Sequence, residues 1–153
     1  MASTTPNIIL LQTNGGGERT IHDEALAGGT ITPGMLLTWS SGTLIANATA
    51  ADVDAAIVFA DLNPYLDPTV DTGPAIDTTY LTGEVVRYFI PQRGDKIYAL
   101  LEDEGNVAKG AALQSDGAGA LEAYTSGRIV AFADEAVNNT GGSGAVRIKV
   151  RAS

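Results

Sequence analysis

What constrains this chain most is the spacing of its turn signals. Short apolar runs rich in Ile, Val, Leu and aromatics are interrupted by Gly, Asn, Asp or Pro at intervals of roughly 8–12 residues, the rhythm of a sandwich or barrel. The runs predict strands over Asn7–Gln12, Arg19–Leu26, Met35–Thr38, Thr43–Ala46, Ala56–Asp61, Glu84–Ile90, Lys96–Leu101, Ala111–Gln114, Ala120–Tyr124, Arg128–Asp134 and Gly144–Arg151. Hairpins are expected at Ser40-Ser41-Gly42 and Ser115-Asp116-Gly117, where glycine supplies a positive φ without a Cβ clash. Val146 to Arg151 alternates strictly, three aliphatics against three cations, the pattern of a half-buried strand. Helical signals are scarce. The one candidate is a turn or two near Ala48–Ala55 with Thr49 as its cap. The expected fold is all-β, a small barrel or β-tulip-like domain with an extended N-terminal arm and little helix.

The chain divides into an arm, residues 1–19, and a single β domain, residues 20–153. Asn14-Gly15-Gly16-Gly17 closes the arm with a glycine triplet, which lets it point away from the body. Within the domain, units 20–61 and 96–134 share a register. Gly29, Ile31, Gly34 and Leu37 align with Gly105, Val107, Gly110 and Leu113, an offset of 76 residues that Ile21 and Ile97 also keep. Neither unit covers its apolar face alone, so the two are expected to close one barrel or sandwich together. Between them runs the proline-rich stretch 62–83. Pro64, Pro68 and Pro74 exclude a central strand there. A loop of more than about 15 residues in a compact domain is commonly a contact surface.

Composition narrows the function. There is no cysteine, which removes disulfides, thiolate metal sites and cysteine nucleophiles. A net charge of −9, from 18 acidic and 9 basic side chains, repels phosphate backbones, so no nucleic-acid partner is expected. No apolar run approaches the roughly 18–20 residues that span a bilayer, and no membrane partner is expected. The opening residues lack a basic n-region, and Ile8 to Leu11 is too short for an h-region, so synthesis without export is the expectation.

Each catalytic motif fails on its flanks. Asp71-Thr72-Gly73 matches the aspartic-protease triplet, but Pro74 follows it and no apolar-Gly-Arg segment comes after to pack behind it. The acids at Asp61, Asp67 and Asp71 lack the spacing and central glycine of an EF-hand loop. Gly105 to Gly110 has phosphate-loop spacing, but Ala111 and Ala112 stand where Lys and Ser/Thr are needed. Gly141-Gly142-Ser143-Gly144 has no apolar strand running into it, as a nucleophile elbow requires. His22, the single histidine, sits beside Asp23 and Glu24 in an alternating strand and reads as a surface or interface residue. One histidine and no cysteine leave no transition-metal set. The expectation is a non-enzymatic protein with no catalytic residue, no cofactor and no metal.

Contact candidates remain. Ile8, Ile9, Leu10 and Leu11 form the apolar run of the arm, suited to adding a strand to a neighbour's sheet edge. Trp39 lies by a hairpin tip, where a tryptophan packs on the core or a neighbouring subunit, or lies on a carbohydrate. Tyr65 and Tyr80 lie in the proline-rich loop, and tyrosine is a common interface anchor. Arg147, Lys149 and Arg151 put a cationic face on an acidic molecule, suited to an acidic partner surface.

Four stretches carry a family resemblance. They are Gly28-Gly29-Thr30-Ile31-Thr32-Pro33-Gly34-Met35-Leu36-Leu37-Thr38-Trp39, Gly94 to Leu101, Asn106 to Gly117, and Gly127 to Ala136. Their order of glycine turns and short apolar strands resembles the capsid decoration (cement) proteins of tailed bacteriophages, over most of residues 20 to 150. The stretch 62–83 departs from that pattern. The resemblance implies a β-tulip or barrel-like fold, a homotrimer, and a place on the virion, on the exterior of the capsid. There it would bind the major capsid protein and stabilise the head by bridging subunits. The alternative reading is a carbohydrate- or receptor-binding surface module of a virion.

Overall fold

The computed structural model describes residues 5–13, 20–54, 56–67, 69–71 and 73–153. It is all-β. The strands, in chain order, are β1 (Leu10–Gln12), β2 (Ile21–Leu26), β3 (Leu36–Ser40), β4 (Thr43–Ala46), β5 (Val58–Ala60), β6 (Val85–Ile90), β7 (Lys96–Leu101), β8 (Asn106–Val107), β9 (Ala112–Ser115), β10 (Leu121–Ala123), β11 (Ala131–Ala133), β12 (Val137–Asn138) and β13 (Val146–Ala152). The turn chemistry behaves as expected. Ser41 (φ 49°) and Gly42 (φ 82°) both sit in the left-handed region, giving β3 and β4 a two-residue hairpin with Ser40 opposite Thr43. In β13, Ile148, Val150 and Ala152 are buried while the cations between them are half-buried.

The strands form two rings. In the first, β2-β6-β5-β3-β4 pair antiparallel in that order, and a parallel bridge between Ala27 and Leu44 brings β4 back to β2. In the second the order is β7-β13-β11-β9-β10, closed by a parallel contact between Leu121 and Leu101. The rings therefore have the same order of strands and the same pairing sense. Local contacts recur as well. The Gly34 N–H donates to the Ala60 carbonyl at 2.9 Å, and the Gly110 N–H to that of Ala133 at 2.7 Å, with φ near 90° at both glycines. Met35 N–H bonds Thr32 (3.0 Å) as Ala111 N–H bonds Ala108 (3.1 Å), and the bridge of Ile31 to Tyr80 matches that of Val107 to Val137.

This differs from the expectation of one barrel closed by two units. Each ring closes on itself, because it takes a fifth strand from outside the aligned stretches: β6 lies between β2 and β5, and β13 between β7 and β11. The larger core lies within the second ring and between the rings, and includes Ile97, Leu113, Leu121, Ile148 and Val150 together with Leu36, Phe59 and Phe89 from the first. A smaller core fills the first ring with Leu37, Leu44, Val58, Tyr80 and Val86. Strand β5 is buried at all three positions because it is covered on both sides. Val58 and Ala60 point into the first ring; Phe59 stacks on Phe89 (centroids 6.1 Å apart) in the layer between rings.

Three local expectations change. Ala48 to Asp54 forms no helix. Asn47 accepts from Thr49 N–H (3.0 Å) and donates to the Asp52 carbonyl (2.8 Å), and Ala51 N–H bonds Ser115 of the other ring, so the groups a helix would use are already engaged. Among the described residues, the one short helical turn is the 3-10 turn Ala75–Asp77, inside the proline-rich stretch. In the arm, β1 pairs antiparallel with β7, Leu10 opposite Ile97, and Ile9 is wholly buried. The glycine triplet lies outside the described residues.

Candidate functional site

The residues singled out for contact fall in three settings. Ile9 belongs to the larger core, with Leu10 and Leu11 packed against that core and Ile8 exposed. Tyr80 is also interior. It has no exposed surface, and its hydroxyl donates to the carbonyls of Asp61 (3.0 Å) and Leu62 (2.5 Å). Burial pushes its phenol far above the usual tyrosine range. This side chain anchors the proline-rich stretch to the first ring, and Ile76 ties the same stretch to the larger core.

The cations of β13 are engaged within the chain. Arg147 pairs with Asp77 at 2.8 Å and donates to the carbonyls of Pro33 (3.2 Å) and Ile76. Lys149 lies 3.4 Å from Glu135. Arg151 lies 3.7 Å from Asp134, which also receives Lys96 at 2.7 Å and Lys109 at 3.8 Å. The Lys96 hydrogen bond, then the charges of Lys96, Arg151 and Lys109, hold the Asp134 carboxyl below the ordinary range. The strand stands between β7 and β11, so its polar face meets neighbouring loops of its own chain.

Besides Ile8, Trp39 and Tyr65 stand at the surface, at 45% and 55% exposure. Trp39 stands edge-on to Tyr88, with ring centroids 5.7 Å apart. Its backbone N–H donates to the Asp54 carboxylate at 3.1 Å. The Tyr65 hydroxyl donates to Glu24 on β2, beside an open cleft of about 430 Å³ lined by Glu24, Asn63, Tyr65, Gly83, Glu84 and Val85. A second depression, of about 310 Å³, lies along the same strand and is lined by His22, Asp23, Glu24 and Arg87. Of this strand, the sequence singles out His22 alone, as a surface or interface residue; its neighbours Asp23 and Glu24 carry no further signal. Five of the six residues of β2 are exposed, including Ile21 at 53%. This side of the first ring is the candidate interaction surface.

The side chains weighed for catalysis make local contacts where described. Asp71 accepts from the Asp67 N–H at 2.7 Å within a turn, and Thr72 lies outside the described residues. Asp103 and Glu104 accept the N–H groups of Gly144 and Gly141, both at 2.9 Å, pinning the glycine loop. His22 lies 3.9 Å from Asp61 and tilts over Phe89. Among the described residues no group of three or more His, Asp or Glu is placed to hold a metal. Nor, among them, is any helix long and apolar enough to cross a membrane.

The fold therefore defines a class: an all-β chain of two like five-stranded rings, with aromatic and acidic side chains exposed along one of them. No family model and no curated protein sequence matches it. Among solved structures it is similar to the head fiber gp8.5 N base in bacteriophage phi29, with a TM-score of 0.51 and 13% identity over 88% of this chain and 95% of that one. At that identity the likeness is one of fold.

Proposed function

We propose that the chain is a non-enzymatic virion protein that sits on the exterior of a phage head, binds the major capsid protein and stabilises the shell. The observation that carries this reading is the fold likeness to a head fiber base, which runs through nearly the whole of both chains. The sequence resemblance to decoration proteins points the same way, and no described motif offers a competing chemistry. Assembly as a homotrimer would multiply weak contacts through valency without a tight single site. In this reading the two rings are copies of one unit, each closed by its own fifth strand, and the proline-rich stretch is an enlarged form of the connection that precedes that strand in both.

The deciding experiment is co-sedimentation with purified expanded phage heads. Saturable binding, with DNA released from filled heads at a higher temperature, is the expected result. A chain that stays in the supernatant at all concentrations refutes head binding. Sedimentation equilibrium reports the oligomer, with a mass of three 15.7 kDa chains expected. The exposure of Trp39 favours one second reading, a glycan-binding surface module. That reading requires glycan-array binding that Trp39→Ala abolishes.

A further inference from the structure

The two rings differ at one place. In the second ring, β10 meets β7 at Leu101, and the outer edge of β7 below that point is occupied by β1: Leu10 lies opposite Ile97, and the Tyr98 N–H donates to the Ile9 carbonyl at 2.7 Å. In the first ring the offset of 76 residues sets Ile21 at the place of Ile97 and His22 at that of Tyr98. There β4 begins at Thr43 and meets the end of β2 at Ala27. Residues 21–25 consequently run past the β3–β4 hairpin, and among the described residues no strand pairs with their outer edge.

The direction of the backbone groups follows from two bonds. Ala27 N–H donates to Glu84 beyond the end of β6, and Gly28 N–H donates to Leu44 on β4 (2.8 and 2.7 Å). Alternation along a strand then aims Ile21, Asp23 and Ala25 at β6, and His22 and Glu24 outward. The Glu24 N–H is held by the Asp23 carboxylate at 2.8 Å, a local cap that an incoming carbonyl can displace. Ile21 lies on the same face as Ala25, which packs against the first core, yet it is half exposed at the ring's mouth.

We propose that the outer edge of β2 is a seat for an extended segment of another protein in which aliphatic and basic side chains alternate. The segment pairs antiparallel with residues 21–24, as β1 pairs with β7. Its aliphatic residue opposite Ile21 covers the mouth of the ring. Its basic residues, on the opposite face, meet Glu24 and Asp61, a carboxylate already 3.9 Å from His22. Charge decides against a second copy as occupant. Antiparallel pairing of β2 with its own copy about Asp23 or Glu24 would set that carboxylate directly against itself.

The test uses the free, isotope-labelled chain, so its outcome does not depend on whether the chain binds heads. The probe is a blocked six-residue peptide alternating valine and lysine. Saturable shifts and slowed exchange at the His22 and Glu24 amides are expected, with no response to a valine–glutamate peptide. His22→Pro removes an outward donor while sparing the bonds to β6, and should weaken binding at least about tenfold, a loss of about 1.4 kcal/mol. Glu24→Lys, which leaves the backbone unaltered, should shift preference to the valine–glutamate peptide. Absence of saturable shifts in the wild-type chain, shifts mapping away from β2, or a Glu24→Lys variant with unchanged preference would overturn the proposal.

Discussion

At the residue scale, the buried side-chain polar atoms of the described residues have hydrogen-bond partners, with the exception of the Arg147 Nε. Tyr80 is the clearest: a phenol inside the first ring, holding two carbonyls at the start of the proline-rich stretch. Tyr80→Phe keeps the packing and removes the donor, leaving both carbonyls short of a partner. A loss of about 1–2 kcal/mol is expected in urea unfolding. Asp134 supplies the pH dependence. Its folded pKa is depressed, so its contribution is fully present above the unfolded value of about 3.9 and disappears as pH falls through the lower folded value. Asp134→Asn should therefore cost about 1 kcal/mol near pH 6, and the difference from wild type should vanish at the acid end of a series of urea midpoints.

At the element scale, pairing partners decide what each strand can offer. Strand β13 is amphipathic in sequence, and its cations suggested a free basic face. Flanked by β7 and β11, they instead meet Asp77, Glu135 and Asp134 of the same chain. Strand β1 shows the same effect. Its apolar run suggested an outgoing arm, but a gap in the second ring takes it, with Ile9 fully buried. Ile9→Ala should cost about 2–4 kcal/mol and speed hydrogen exchange at the Tyr98 amide, which bonds the Ile9 carbonyl. Unchanged exchange at Tyr98 would show that β1 does not guard that edge.

At the scale of the whole molecule, the rings are coupled through the layer of Leu36, Phe59 and Phe89 and through backbone bonds such as Leu36 N–H to Gly119 (2.8 Å) and Ala51 N–H to Ser115 (2.8 Å). A shared core of this kind favours one cooperative transition. Calorimetry should give equal calorimetric and van't Hoff enthalpies, and Phe59→Ala should lower stability by about 3–5 kcal/mol. Two separated transitions in the wild-type chain would mean that each ring unfolds by itself.

The sequence by itself determined what is local. A Ser-Gly pair between apolar runs specifies a two-residue hairpin, period-two alternation specifies which side of β13 is buried, and the shared glycine register marks Gly34 and Gly110 as the same left-handed turn. Those features depend on one to six consecutive residues and on sterics that act within them. Only the tertiary structure decided what depends on partners distant in the chain. β6 and β13 complete rings whose other strands begin dozens of residues earlier. Asn47 and a neighbouring ring override the helical pattern at Ala48 to Asp54, and Tyr80 turns inward because the first ring has room for it. The exposure of β2 belongs here too: its residues resemble those of any half-buried strand, and what sets it apart is that no strand among the described residues pairs with its outer edge.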